Sequence, residues 1–214
     1  MEILFQETID LERVAALCDV GFGRCPSIPA QRDCTAWHVT GLLEAGRLIA
    51  RGDNRYPEGK LVAGIMSLGL IWESVMDSYL WSLAENHSGF YAPDVVYGSD
   101  DVVGSLDGIL LGLDGFPVGL GKFPDLMVVE CKLRFTLNED IPLNHLQQVR
   151  AYCYLAETDL VCYVSGHLSS TPPTARALLR VIRFTQLSIQ ETWQGILNTK
   201  RYLESLGLGP EGVL

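Results

Sequence analysis

The sequence predicts a single mixed α/β domain in which a central sheet is flanked by helices. Two observations predict this fold class. Segments with apolar residues at helical spacing alternate with strand-like segments that are bounded by Gly, Pro, Asn and Asp. In the middle of the chain their order is helix, three strands, helix and strand, with additions at both ends. We therefore treat residues 1–214 as one domain.

The N-terminal part, residues 1–60, is interpreted as an elaboration of this core. It carries two predicted helices, at about 11–18 and 35–50, because apolar residues recur there at helical intervals. Between them, residues 21–29 contain Gly and Pro, which favour irregular structure. Residues 51–59 are predicted to form a polar loop.

The core, residues 61–165, begins with a long apolar helix at 61–84. Three strands follow, since β-branched and apolar residues are grouped between turn-forming residues. These strands are predicted over residues 91–97, 102–113 and 126–134, with a turn at 98–101 and a Gly- and Pro-rich loop at 114–124. A helix over 143–156 and a strand over 160–165 complete the core.

The C-terminal part, residues 166–214, is predicted to contain a loop, a strand and a helix. The loop covers residues 166–173 and the strand covers 178–184. Ser188 and Glu191 have the spacing of a capping box, which predicts the start of the last helix. That helix is predicted to end near Gly207.

The composition indicates one domain with a substantial core. Hydrophobic residues make up 48% and charged residues 20% of the chain, which excludes a coiled coil or a disordered tail. Residues 1–12 lack the basic start and apolar centre of a signal peptide, and the apolar run at 61–72 is too short to cross a membrane. We expect a cytoplasmic protein with no membrane contact.

The six cysteines and four histidines do not form a recognisable metal-binding pattern. No CxxC pair or HExxH helix is present, so we expect reduced thiols and surface or capping histidines. The cysteines are Cys18, Cys25, Cys34, Cys131, Cys153 and Cys162.

Two neighbouring strands carry charged residues in otherwise apolar surroundings. In the third strand, Glu130, Lys132 and Arg134 project to one face while Cys131 projects to the other. In the second strand, Asp107 lies among apolar residues, where an unpaired carboxylate is costly. If the two strands pair, Asp107 approaches Glu130, and the two carboxylates repel each other unless a cation lies between them. An ordinary ion pair at a strand end, or a bulge at Asp107, are the structural alternatives.

The order of Asp107 and then Glu130-Cys131-Lys132 resembles the signature of the PD-(D/E)XK nuclease superfamily. Two further features are similar to its RecB-type, lambda-exonuclease-like branch. Glu73 lies in the helix before the sheet, and Gln148 and Tyr152 match a Gln-x-x-x-Tyr helix motif. Residues four apart on a helix share a face. The resemblance covers residues 61–165.

The resemblance implies a restriction-endonuclease-like core and a divalent-metal-dependent deoxyribonuclease. It implies Mg²⁺ or Mn²⁺ as the cofactor and no iron–sulfur cluster, because the closely spaced C-terminal cysteines of some relatives are missing. The implied metal ligands are Glu73, Asp107, Glu130 and the backbone carbonyl of Cys131. The implied catalytic residues are Asp107, Glu130, Lys132, Gln148 and Tyr152.

The implied substrate is DNA, as double-stranded ends or single strands, processed by an exonuclease in recombination, repair or phage replication. A net charge of −10 excludes a diffuse nucleic-acid binder, so any groove for DNA must be a local basic strip. Arg134, His145 and Arg150 are predicted to bind substrate. Lys122, Arg176, Arg180 and Arg183 are further basic residues.

Other assignments remain open from the sequence. A homo-oligomer and a recombination or replication protein are the expected partners. The alternatives are a structure-specific or restriction-type endonuclease and an inactive nuclease fold that binds DNA or protein.

Overall fold

The computed structural model of the chain describes residues 1–18, 36–52, 63–116 and 126–210, and only the backbone of residues 63–67. These ranges contain seven strands and five helices. The strands are β1 (Glu2–Ile9), β2 (Trp37–His38), β3 (Phe90–Ser99), β4 (Val102–Leu111), β5 (Leu126–Arg134), β6 (Leu160–Ser170) and β7 (Pro173–Arg183). The helices are α1 (Leu11–Leu17), α2 (Val39–Ala50), α3 (Ala63–Asn86), α4 (Leu143–Leu155) and α5 (Gln186–Ser205).

The strands form one mixed sheet, which confirms the predicted fold class. Their order is β1-β7-β6-β5-β4-β2, and β3 pairs with β4 outside this path. β5 and β6 are parallel, whereas β4 and β5 are antiparallel, as are β6 and β7. Parallel neighbours need a crossover connection, and α4 supplies it between β5 and β6.

Helices cover both faces of the sheet and bury two hydrophobic cores. Successive residues of β5 point to opposite faces, so Val128 joins one core while Met127 and Val129 join the other. Helices α2, α4 and α5 pack together on the first face, and α1 and α3 pack on the second. Side chains from α3 and from α4 can therefore reach the charged residues of β4 and β5 from opposite faces of the sheet.

The sheet has a local opening between β4 and β5. β3 occupies one edge of β4 along its length, so β2 and β5 share the other edge. β5 pairs only from Gly108 onward and β2 pairs only at Val102 and Val103. Helix α4 packs over the residues of β4 that lie between these two pairings. Gly104 is one of them, and a Cβ atom added there would lie only 2.9 Å from the ring of Tyr152.

Strand β1 was not predicted, because the sequence analysis expected only helices and irregular segments in residues 1–60. It pairs antiparallel with β7, with Glu2 opposite Arg183 and Ile9 opposite Ala177. Only Ile9 of this strand is buried, so its sequence carries little hydrophobic periodicity. Pairing with a strand more than 160 residues away determines this element, as the alignment of Glu2 with Arg183 illustrates.

The predicted loop at 166–173 is also wrong, because β6 and β7 both continue into it. Strand β6 ends at Ser170, and β7 begins at Pro173. Gly166, which the sequence analysis treated as a strand end, lies inside β6. A Cβ atom there would lie 2.9 Å from the side chain of Trp72, so this glycine allows close packing of α3 on the sheet.

Two helix starts also differ from the predictions. Helix α2 begins at Val39 and follows a two-residue strand, where a helix start near residue 35 was predicted. Helix α5 begins at Gln186, and Thr185 is its N-cap, since the Thr185 side chain accepts a 3.3 Å hydrogen bond from the backbone N–H of Ser188. The predicted cap at Ser188 is therefore wrong by three residues.

Some predicted features lie outside the described residues, namely residues 21–29, most of the loop at 51–59, Cys25, Cys34 and Lys122. Within the described ranges the cysteines are free thiols, at Cys18, Cys131, Cys153 and Cys162. None of the helices described here has the length and hydrophobicity that crossing a membrane requires.

Candidate active site

Asp107 and Glu130 lie where β4 and β5 separate. The last register pair of the two strands joins Gly108 and Val129, so Asp107 and Glu130 are the next residues on each side. Asp107 Oδ2 accepts a 2.6 Å hydrogen bond from the backbone N–H of Cys131, which spans the widening gap. The divergence of the strands therefore leaves two carboxylates close together at a break in the sheet.

Lys132 joins these two carboxylates. Its ammonium group contacts Glu130 Oε1 and lies 4.0 Å from Asp107 Oδ2. The side chains of Lys132 and Asp107 are 23% and 19% exposed, whereas Glu130 is fully buried. The site thus consists of a buried carboxylate, an ammonium group above it and a second carboxylate at an opening to solvent.

Of the ionisable groups on β4 and β5 at this site, Glu130 is the most deeply buried, which makes its charged form unfavourable. Burial raises the pKa of Glu130 to about 8, in opposition to the attraction of Lys132 and with added repulsion from Asp107. Its Oε2 atom has no hydrogen-bond partner among the described residues. A buried carboxylate of this kind requires a cation or a proton.

The same surroundings also shift the pKa values of Asp107 and Lys132. Burial raises the pKa of Asp107, while Lys132 and the Cys131 N–H lower it. Burial lowers the pKa of Lys132, but the attraction of Glu130 and Asp107 outweighs burial and holds it well above its usual value. Lys132 is therefore an ammonium group at neutral pH.

Glu73 approaches the site from the other face, on α3. Its pKa is raised to about 8 by burial and then by the charge of Asp107, whereas Lys132 lowers it. Asp77 and Asp94 add repulsion. The structure thus brings Glu73 into the electrostatic field of the strand carboxylates, while its role as a metal ligand stays a prediction.

Asp94 is an acidic residue that the sequence analysis missed. It lies on β3 with φ 53°, at a break in the β3–β4 register opposite Asp107, and its charge helps to raise the pKa of Asp107. The one signal in the sequence is a Pro-Asp pair within a strand-like segment, which is typical of a bulge.

We predict that the metal-free protein loses stability as the pH rises from about 4.5 to about 8. The pKa values of Glu73 and Glu130 are about 8 in the folded protein, against an ordinary value of 4.5. A group with a raised pKa contributes stability that is complete below the unfolded pKa and is lost as the pH rises through the folded pKa.

Urea unfolding in EDTA at several pH values measures this effect, and we expect a decrease of at least about 1 kcal/mol in the free energy of unfolding. In Glu130→Gln the decrease should be smaller, because the amide does not titrate. A wild-type protein that is equally stable at both ends of this pH window would contradict the prediction.

Gln148 and Tyr152 enter the site from α4. Gln148 Nε2 donates a 3.0 Å hydrogen bond to the hydroxyl of Tyr152, and Tyr152 is buried. Burial and the charge of Glu130 raise the pKa of Tyr152, so its phenol stays protonated. The two side chains share one helix face, as the four-residue spacing predicts.

His145 lies in the first turn of α4 among positive charges. Its Nδ1 atom lies 2.7 Å from the hydroxyl of Tyr163, the β6 neighbour of Glu130. Burial, and then the positive charges of Lys132, Arg134 and Arg47, together lower the pKa of His145 to about 4. His145 is therefore neutral at pH 7 and lies in a region of positive potential. The sequence analysis missed Tyr163, whose partner is 18 residues away, and Arg47, which forms an ion pair with Glu44.

The two other predicted substrate-binding residues make contacts within the protein. Arg134 donates hydrogen bonds of 2.9 and 2.6 Å to the carbonyl oxygens of Asn138 and Asp140. The guanidinium carbon of Arg150 lies 5.1 Å from the centroid of the Phe184 ring. Their proposed contacts with DNA remain predictions.

The oxygen donors of the site fit a hard divalent cation. No three His, Cys, Asp or Glu side chains in the described part of the chain are grouped closely enough to surround a metal ion. Mg²⁺, however, is commonly held by one or two carboxylates together with substrate phosphates and water. Asp107 and Glu130 supply such a pair, and the unbonded Glu130 Oε2 is a free donor for it.

The comparisons with known proteins concern the fold. No family model and no curated protein matches this chain. Two crystal structures of an alkaline exonuclease, LHK-Exo from Laribacter hongkongensis, match with 10% identity over 80% of this chain and 89% of theirs. Their TM-scores are 0.51, for a complex with dAMP, and 0.50. The structure of SSO0001 matches with 13% identity over 88% of this chain and 85% of its own, with a TM-score of 0.45.

This chain therefore has a mixed α/β fold similar to that of an exonuclease.

Proposed function

We propose that this protein is a divalent-metal-dependent deoxyribonuclease, acting as an exonuclease or an end-processing enzyme. The observation that carries the proposal is the buried Glu130 carboxylate, which lies beside Asp107 and Lys132 where β4 and β5 separate. Two acids and a lysine at such an opening can hold a cation and a phosphate together. The similarity of the fold to that of an alkaline exonuclease supports the same assignment.

Asp107 and Glu130 would hold the metal ion, with Glu73 and the carbonyl of Cys131 as further candidates. Mg²⁺ or Mn²⁺, when bound, would supply neutralisation of phosphate charge and activation of water. A bound cation would offset the burial and the mutual repulsion that raise the pKa values of Glu73 and Glu130. Because the ligands must lose their protons, metal affinity should increase as the pH rises through these pKa values, and binding should release protons.

Lys132 would stabilise the transition state. As an ammonium group it can donate a hydrogen bond to a non-bridging oxygen of the scissile phosphate, where negative charge increases during hydrolysis. Its contact with Glu130 fixes its position before substrate binds. Gln148 and Tyr152 form a hydrogen-bonded pair next to it and would orient Lys132 or the nucleotide.

The positive region around His145 would receive the DNA backbone. Lys132, Arg134 and Arg47 all lie close enough to lower the pKa of His145. This group is a local basic strip on a protein of net charge −10. Neutral His145 can donate a hydrogen bond to phosphate from the ring nitrogen that does not face Tyr163.

The test is digestion of end-labelled linear DNA with Mg²⁺ or Mn²⁺. We expect degradation that stops when EDTA removes the metal, and resistance of a covalently closed circle of the same sequence. Equal cleavage of circle and linear DNA would assign an endonuclease instead. Absence of cleavage with both metals would contradict nuclease activity.

A further inference from the structure

The loop between β5 and α4, residues 135–142, exposes two of its apolar side chains, while a third, Ile141, packs against the core. Phe135 is 56% exposed and Leu137 is 45% exposed, and Leu143, the first residue of α4, is 65% exposed. Polar groups of the same loop make internal hydrogen bonds, with Asn138 N–H bonding to Thr136 Oγ1 at 3.1 Å. This arrangement is the reverse of an ordinary surface loop, in which apolar groups turn inward.

Hydrogen bonds from buried residues hold this β5–α4 loop in place. Arg180, which is 4% exposed, donates to the carbonyl of Glu139 at 2.9 Å and to Gln6 Oε1 at 2.6 Å. Fully buried His167 lies with Nδ1 3.0 Å from the carbonyl of Thr136. His167 is therefore not the surface or capping histidine that the sequence analysis expected.

Charged side chains complete the anchoring. Arg176 donates a 2.6 Å hydrogen bond to Glu139 Oε1, and Arg134 binds two carbonyl oxygens of the loop. Since these contacts fix the backbone of the β5–α4 loop from several sides, the loop holds Phe135 and Leu137 in exposed positions.

The β5–α4 loop lies next to the proposed active site along the chain. Phe135 follows Lys132 by three residues on the same chain segment, and the loop leads into the turn of α4 that carries His145. Arg134, between them, adds positive charge. Three residues of extended chain span roughly 10 Å, which is within the reach of a nucleotide next to a phosphate bound at Lys132.

We propose that Phe135, flanked by Leu137, is a stacking site for unpaired bases of the nucleic-acid strand that enters the active site. The placement of the strand rests on the proposed function. Aromatic rings beside a positively charged groove are the common means of holding single strands, because every base has a face that can stack. The inferred substrate is thus a strand with unpaired bases near the scissile bond.

A second copy of the chain is a less suitable occupant of this surface. Its exposed apolar side chains are Phe135, Leu137 and Leu143, and exposed Thr136 and Asn138 lie among them. Stable protein interfaces bury on the order of 800 Å² on each partner, far more than three side chains provide.

Binding of two labelled strands tests the inference. One is a single-stranded oligothymidine of about twelve nucleotides, with a phosphorothioate backbone that resists cleavage. The other has the same backbone without bases. Fluorescence anisotropy with Mn²⁺ should show that the wild-type protein binds the strand with bases about ten-fold more tightly.

Phe135→Ala should abolish this preference, while Phe135→Trp should retain it. Phe90→Ala is the matched control, since Phe90 is 50% exposed on β3, and it should bind like the wild type. The inference is overturned if the wild type binds both strands equally or if Phe135→Ala keeps the preference. A change in sedimentation of Phe135→Ala with an unchanged preference would assign the surface to self-association and also overturn it.

The outcomes separate this inference from the proposed function. Binding to the resistant strand does not require hydrolysis, so the preference can be observed in a protein that cleaves nothing. Conversely, metal-dependent cleavage without any preference for bases would leave the proposed function intact and remove the stacking site.

Discussion

Replacement of Lys132 by methionine is expected to lower kcat for DNA hydrolysis about a thousand-fold. Methionine retains the length of the side chain and removes the charge that would stabilise the phosphate in the transition state. Because Glu130 loses its only described cationic partner, its pKa should increase further and the group should stay protonated. The measurement is single-turnover cleavage of end-labelled DNA with Mg²⁺.

Lys200→Met is the matched control. Lys200 is also largely buried and lies between two carboxylates, at 3.7 Å from Asp101 and 3.7 Å from Glu204. Its removal should reduce stability without reducing kcat, whereas Lys132→Met should reduce kcat in a folded protein. Undiminished cleavage by Lys132→Met would remove Lys132 from the proposed mechanism.

Glu130→Gln is expected to eliminate both metal binding and hydrolysis. The amide keeps the shape of the side chain but offers a neutral and weaker oxygen donor. A metal that binds only the folded protein stabilises it, by about 2.7 kcal/mol at a hundred times its Kd. Mn²⁺ should therefore raise the Tm of the wild type and leave that of Glu130→Gln unchanged, with cleavage lowered at least about a thousand-fold.

Two comparisons make this result specific. Glu7→Gln changes another partly buried carboxylate, which accepts a 2.7 Å hydrogen bond from Tyr79, and it should retain the Mn²⁺-dependent increase in Tm. Lys132→Met should retain an increase in Tm at a higher Mn²⁺ concentration, because the lysine is not a ligand but Mn²⁺ must displace the proton of Glu130. If Mn²⁺ stabilises Glu130→Gln as strongly as the wild type, Glu130 is not a metal ligand.

Local sequence patterns predicted the strands and helices whose ends are marked by a change in residue type. The bounds of β5, Leu126–Arg134, agree with the prediction, since an apolar run between two turn-rich segments identifies it. Helix α4 agrees within one residue at its end. The spacing of Glu130 and Lys132 on this strand and of Gln148 and Tyr152 on this helix placed each pair on one face.

Elements that depend on distant partners were missed. β1 has one buried residue and forms because β7 offers it a free edge. The glycine at position 166 has the appearance of a strand end in sequence, but contact with Trp72 explains it. Arg180 and His167 appear as surface residues in sequence, and the fold buries them as anchors of the β5–α4 loop.

The sequence alone determined the α/β fold class, the catalytic candidates and their order along the chain. The tertiary structure decided the chemistry that these residues share. The pairing register of β4 and β5 brings Asp107 next to Glu130 and Lys132, and burial together with repulsion between the acids raises the pKa values of Glu73 and Glu130. Electrostatic free energies depend on distance and on access to water, and the fold sets both quantities through contacts between residues far apart in the chain.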